Sequence, residues 1–396
     1  MLLAVIPERD RLVGLLYAIA EHTRDRSLAT VRAEVATPQD VTPTRCRALT
    51  EAHYHRCKCD ARAYVEWFET QFSNYLNAYA ARALRPLSEQ LIEVCEQQFG
   101  GEHPETAKVL TNLARVILVQ GDVEHAEPVL RRAIAIQEGA LDADHPDTAR
   151  TLAVLGGYFE GRGDLLAAEP LFRRALDIRT AALGLEHPLT VSTLGNLAKA
   201  TVELGRLDEG EALCRRVLAA HEHRVGAAHP DTAFAMTALG EVLAKKGEFA
   251  QAEVLIRRAL AAQQHCLAEG HPDVGLSMWH LSATLRALVR SDEAEPLARR
   301  ALEIWEGHFG PDHEWTAWGL VNLAETRMAQ GAVAEAEAAA MADRAAQIFR
   351  RIYGAEHAVL RSTLELRDRA LRASGAPHAP GPAPAAASMD RNGAAT

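Results

Sequence analysis

The chain has 396 residues, 48% of them hydrophobic and 24% charged, with a formal net charge of −10. Lys and Arg are interspersed with Glu and Asp instead of forming a basic stripe, which argues against a nucleic-acid partner, and no apolar run approaches the roughly 20 residues of a membrane-spanning helix. Six cysteines at irregular spacing (Cys46, Cys57, Cys59, Cys95, Cys214, Cys266), and an apolar opening halted at Pro7-Glu8-Arg9, predict reduced thiols, no secretory signal and a cytoplasmic location.

Residues 1–60 read as an N-terminal helical segment. Leu12, Leu15, Leu16 and Ile19 give residues 8–35 one apolar helix face, and Thr37-Pro38 and Thr42-Pro43 break it. Nothing there sustains the three or four heptads of a coiled coil. The 53–59 stretch, His53-x-His55-x-Cys57-x-Cys59, is the one local cluster with zinc-type ligands. On a helix His53 and Cys57 share a face while His55 and Cys59 point away, and the usual Cys-x-x-Cys spacing is absent. No cofactor is expected; metal binding through this stretch is kept as a minor alternative.

Residues 61–102 read as a degenerate capping hairpin. Pro86 lies 42 residues before Pro128 in the register of the chain that follows, and the hairpin ends on Phe99-Gly100-Gly101-Glu102-His103. Its first helix is aromatic, with Tyr64, Trp67, Phe68, Phe72, Tyr75 and Tyr79 at helical spacing, as suits a terminal unit with a neighbour on one side only.

Residues 103–356 repeat. His103, His145, His187, His229, His271 and His313 are 42 residues apart and His357 follows after 44, a period typical of stacked helical hairpins. Each period returns an i, i+3, i+4 apolar face: Leu110, Leu113, Ala114; Leu152, Leu155, Gly156; Leu194, Leu197, Ala198; Met236, Leu239, Gly240; Met278, Leu281, Ser282; Leu320, Leu323, Ala324. The small third residue predicts close approach of a second helix. A turn follows at Gly121, Gly163, Gly205, Gly247 and Gly331, with Val289 as the exception, and Gly there can take the left-handed conformation. The second helix carries Glu and, four residues on, Arg: Glu127/Arg131, Glu169/Arg173, Glu211/Arg215, Glu253/Arg257 and Glu295/Arg299. These are solvated i, i+4 pairs rather than a nucleic-acid surface. Pro after each of the first five His suits the first helical position. A metal array of the seven His is ruled out by geometry, because neighbouring hairpins stand about 10 Å apart and a metal needs ligands about 2 Å from one point. Residues 357–372 predict a C-terminal capping helix. The stretch 373–396, with Pro377, Pro380, Pro382 and Pro384, predicts a disordered tail.

The sequence Gly-x-Asp/Glu-His-Pro-Asp-Thr-Ala, then Leu-x-x-Leu-Ala, Gly-Asp and Ala-Glu-Pro-Leu-x-Arg-Arg-Ala-Leu resembles the 42-residue tetratricopeptide repeat of kinesin light chains and their relatives, from residue 103 to about 372. The resemblance implies an all-α fold, a right-handed α-solenoid of helical hairpins, and a protein-binding role. The absence of an N-terminal coiled coil departs from kinesin light chains and argues against a motor-cargo role. In such a stack the first helices line the inner groove. The positions opposite the apolar face are Lys108, Asn112, Arg115 and Val119; Arg150, Val154 and Gly157; Ser192, Asn196 and Lys199; Phe234, Ala238 and Glu241; Leu276 and His280; Trp318, Asn322 and Glu325, with Trp279 one step round.

An Asn amide there can bridge the two polar groups of an extended peptide backbone, and the resemblance implies that role for Asn112, Asn196 and Asn322. The alternative is an Asn bonded to an adjacent helix. Lys108, Arg115, Arg150 and Lys199 make the earlier half basic; Phe234, Trp279 and Trp318 make the later half aromatic, either as peptide anchors or as packing on neighbouring first helices. The partner is then another protein, held through an extended, acidic peptide segment with an apolar anchor. No phosphate loop, nucleophile elbow or His-Glu-x-x-His occurs, so no enzyme is expected. Arg162-Gly163-Asp164 is the recurrent turn and not an adhesion signal. A self-associating structural array is the other alternative, and the sequence sets no oligomeric state.

Overall fold

The computed structural model describes residues 62, 65, 81–331 and 335–374. The 1–60 segment, its 53–59 cluster, most of the aromatic 64–79 stretch and the tail after 374 lie outside the described residues. Among the described residues there are fourteen helices: α1 (Ala81–Phe99), α2 (Pro104–Val119), α3 (Val123–Ala140), α4 (Pro146–Gly161), α5 (Leu165–Leu183), α6 (Pro188–Glu203), α7 (Leu207–Val225), α8 (Pro230–Lys245), α9 (Phe249–Cys266), α10 (Pro272–Ala287), α11 (Ser291–Phe309), α12 (Glu314–Gln330), α13 (Glu335–Tyr353) and α14 (Ala358–Ala373). The architecture is an all-α solenoid of paired helices.

The repeated histidines start the first helices. At His103, His145, His187, His229, His271, His313 and His357 the imidazole Nδ1 accepts the backbone N–H two residues on, at 3.2–3.3 Å. That satisfies one of the donors a helix start leaves open. In α2, α4, α6, α8 and α10 Pro occupies the first turn, where its missing N–H costs nothing. In α2 and α8 the Thr two residues after that Pro reaches back to the preceding turn, Thr106 Oγ1 to Gly100 O at 3.1 Å and Thr232 Oγ1 to Gly226 O at 2.7 Å.

Two compact units divide at Gly205/Arg206. In the first, α1 packs on α2, α2 pairs with α3 and α4 with α5, and α3 and α5 each pack on the first helix that follows; α2, α4 and α6 also adjoin one another directly. Leu91, Cys95, Leu110, Ile117, Leu130, Ile136, Leu155 and Tyr158 are among the residues of its main core cluster. In the second, α7 packs on α8, the pairs are α8/α9, α10/α11 and α12/α13, and α14 closes on α13, with α8, α10, α12 and α14 adjoining in turn. Every member of the six i, i+3, i+4 triplets is buried.

The Glu-to-Arg pairs form as expected on the second helices, for example Arg131 Nε to Glu127 Oε1 at 2.8 Å and Arg257 Nε to Glu253 Oε1 at 3.0 Å. The next Arg binds the previous second helix: Arg132 to Glu96 and Arg174 to Glu138, each at 2.6 Å. The doublets are therefore surface stitching between and within repeats.

The turn between paired helices uses Gly at positive φ (Gly121 at 77°, Gly163 at 76°, Gly247 at 83°), and Val289 occupies the same slot at φ 61°. A β-branched residue there carries strain of about 1–2 kcal/mol, and its side chain, 89% exposed, has no packing to lose. Val289→Gly is expected to raise stability by about 1 kcal/mol, the strain relieved exceeding the extra chain entropy of Gly. Urea denaturation of the two chains checks this; an unchanged or lower midpoint contradicts it.

Candidate functional site

The faces opposite the core triplets form one stripe in each unit. In the first unit the α4 stripe runs Arg150, Val154, Gly157, Gly161, from half-buried to exposed. A Cβ added at Gly157 or Gly161 meets nothing within 4 Å, so the floor between the flanking helices is open. Lys108 on α2 stands 3.2 Å from Glu105 Oε1 and 3.6 Å from Asp147 Oδ2. On α6, Ser192 and Lys199 are exposed and Asn196 is half-buried; Lys199 Nζ lies 2.7 Å from Glu160 Oε1. Arg115 on α2 is half-buried.

Asn112 needs correction, since it does not line an open groove. It is fully buried, because Arg150 from α4 folds over it and donates Nη2–H to its Oδ1. Its Nδ2 amide group has no acceptor among the described residues.

The second unit departs further from expectation. Phe234 on α8 is 51% exposed. Trp279 and Trp318, however, pack on their neighbours. Trp279 Nε1–H donates to the Trp318 carbonyl at 3.4 Å, and its ring centroid is 6.5 Å from that of Trp305. Trp318 donates to Glu314 Oε1 at 3.3 Å and sets its ring edge-on to Phe349, 5.1 Å between centroids. His280 is largely buried, its Nε2 3.7 Å from Glu241 Oε2, and burial pushes its pKa below the usual histidine value despite that carboxylate. Asn322 is also buried: its Oδ1 accepts from Arg286 Nη1 at 2.8 Å and its Nδ2 donates to Ser282 Oγ at 2.5 Å. It is an inter-helix tie and not a peptide clamp. Sequence reasoning put these residues on the stripe by helical phase, and phase does not show how far an adjoining helix covers them.

One residue with a bearing on the site was missed. Arg179, eight residues before its repeat's His, points inward from α5 and is 7% exposed. Its signal was legible, because the same position elsewhere holds Cys95, Gln137, His221, Gln263, Trp305 and Phe349, with no other cation.

Among the described residues no group of His, Cys, Asp and Glu could hold a metal ion, and no helix is long and apolar enough to cross a membrane.

No curated protein matches the chain. Solved structures do. The quorum sensor NprR from B. thuringiensis in its apo form is similar over 79% of this chain and 82% of that one, with TM-score 0.58 and 10% identity. A signal transduction ATPase with numerous domains and a tetratricopeptide repeat sensor, from Pyrococcus horikoshii, is similar over 86% of this chain and 48% of that one, with TM-score 0.56 and 12% identity. BtubC (BKLC) from P. vanneervenii is 22% identical over 62% of this chain and 92% of that one, with TM-score 0.46. At these identities the likeness is one of fold. The sequence profile of the tetratricopeptide repeat matches residues 84–138, 105–181, 160–209, 189–265 and 273–342. With well over half of the sequence matched and the helices paired as that repeat requires, the chain belongs to the tetratricopeptide repeat family.

Proposed function

We propose that this protein is a non-catalytic, cytoplasmic adaptor of the kinesin-light-chain-like kind, which holds an extended acidic peptide segment of a partner protein against the first-helix stripe of residues 104–203. Tetratricopeptide folds serve generally as protein–protein interaction scaffolds, and fold alone does not choose the ligand. What carries the reading is the stripe itself: a floor without side chains at Gly157 and Gly161, flanked by Lys108, Arg115, Arg150 and Lys199. A peptide backbone can approach such a floor closely, and the flanking cations favour acidic side chains on it.

Gly157→Glu tests this. The side chain has room, and Glu is a better helix former than Gly by about 0.5–1 kcal/mol, so the variant is expected to melt no lower than the native chain. It also fills the floor and adds a negative charge. Proteins captured by the native full chain from an extract of its own source, identified by mass spectrometry, are expected to bind the variant at least about tenfold more weakly, a loss of about 1.4 kcal/mol. An identical set captured equally well by both chains would refute the assignment.

A further inference from the structure

The inward position eight residues before each repeat's His is mostly a packing slot, filled without charge by Cys95, Gln137, Gln263, Trp305 and Phe349, all at most 2% exposed, with the half-buried His221 at one further repeat. The fold therefore has no need of a cation there. In the second repeat the slot holds Arg179 instead. Its Nη1 donates to the Leu189 carbonyl at 3.0 Å and to Thr193 Oγ1 at 2.5 Å, both on α6. Both acceptors are uncharged. Nη2 and Nε have no acceptor among the described residues.

A guanidinium this deeply buried ordinarily has a carboxylate partner, because taking it out of water is costly and the planar fork is made for two parallel bonds. No described carboxylate plays that part. Burial lowers the Arg179 pKa, and the one neighbouring charge that acts on it is another cation, Arg150. Arg150 belongs to the stripe described above. Arg179 thus reaches from the second-helix layer to the seam between α4 and α6, where Leu189 is 49% exposed.

We propose that Arg179 is a specificity residue that receives a carboxylate of the bound peptide at the α4/α6 seam, its free Nη2 and Nε edge supplying the fork. This rests on the peptide-binding reading and adds to it. First-helix cations account for a general preference for acid, whereas Arg179 fixes one position of the peptide at which an acid is required.

The test uses the purified full-length chain and a phage-displayed library of random peptides, selected in parallel on the native protein, on Arg179→Gln and on Arg179→Lys. Gln already occupies this slot at two repeats, so Arg179→Gln is expected to melt no lower than the native chain. Native selections should converge on Asp or Glu at one fixed place. Arg179→Gln should still yield binders, but without that preference; Arg179→Lys, which keeps the charge and loses the fork, should keep it in weakened form. In a synthetic peptide from the native selection, changing that acid to its amide should weaken binding to the native chain about tenfold and to Arg179→Gln less than about twofold. The same fixed acid recovered from native and Arg179→Gln selections overturns the proposal and leaves peptide binding standing. Selections that yield no binders on any of the three overturn both. A marked fall in the melting temperature of Arg179→Gln also overturns it, since the guanidinium would then be a structural part of the seam.

Discussion

Substituting Gly156 by Ala is expected to destabilise the chain by about 1–3 kcal/mol, although Ala is the better helix former by about 1 kcal/mol. Gly156 ends the buried triplet of α4 and faces Phe172 of α5, which is itself fully buried. A Cβ built at Gly156 lies 2.7 Å from the Phe172 ring, a separation that real contacts do not show, and a close-packed core has little room to yield. The neighbouring repeat shows the remedy. There the same two positions are Ala114 and Leu130, a larger residue on the first helix matched by a smaller one on the second. Phe172→Leu should therefore rescue Gly156→Ala, giving a coupling of about 1–2 kcal/mol in a double-mutant cycle followed by urea denaturation. Additive effects would mean that the ring moves aside without cost and that the size match is incidental. Gly240 on α8 is approached in the same way by Ile256 of α9.

That pairing shows why the fold was legible. A 42-residue period repeats each local choice, so the His before Pro, the Leu-x-x-Leu-small face and the Gly turn are each read several times, and a helix boundary uncertain in one copy is settled by the others. The role of the repeated His was not read, although its place just before a helix start is the position of a capping acceptor; imidazole is an uncommon choice for that place. The small residue was read as a demand for close approach, and Phe172 and Ile256 are what approach.

The site was less legible, for a physical reason. Helical phase assigns a direction to each side chain on its own helix, but exposure also depends on the neighbour one repeat away. Lys199 and Phe234 have the exposure that phase predicts. Asn112 does not, because Arg150 reaches across from α4, and Trp318 does not, because Phe349 of α13 lies beside it. Arg179 escaped notice for the opposite reason. It lies on the second helix, at a position whose other occupants are mostly core, so the groove positions alone did not lead to it, and its acceptors are a carbonyl and a hydroxyl.

Asn322 and Asn196 hold the same place in their repeats, yet their removal is expected to have different consequences. Asn322→Ala should cost about 2–3 kcal/mol of stability, because it strips a partner from a buried charged donor and from a buried hydroxyl together. Arg286 of α10 donates to Asn322 Oδ1 at 2.8 Å and to Glu325 Oε2 at 2.6 Å, and burial already lowers its pKa while Glu325 opposes that shift. Without the Asn322 side chain, Arg286 Nη1 keeps only its longer contacts, to Thr326 Oγ1 at 3.3 Å and to the carbonyl of residue 322 at 3.4 Å. Ser282 keeps its bond to the Trp279 carbonyl at 2.8 Å but loses the amide. Asn196 is half-buried on α6, with no hydrogen bond of this kind among the described residues. Asn196→Ala should therefore leave stability within about 0.5 kcal/mol and weaken peptide capture instead. Urea denaturation of both variants, with binding of a library-selected peptide measured beside it, separates the two roles. If Asn322→Ala is as stable as the native chain and loses the peptide, Asn322 is a clamp after all and the tie to α10 is dispensable. If Asn196→Ala unfolds early, the stripe on α6 is held together by the residue assigned to hold the ligand.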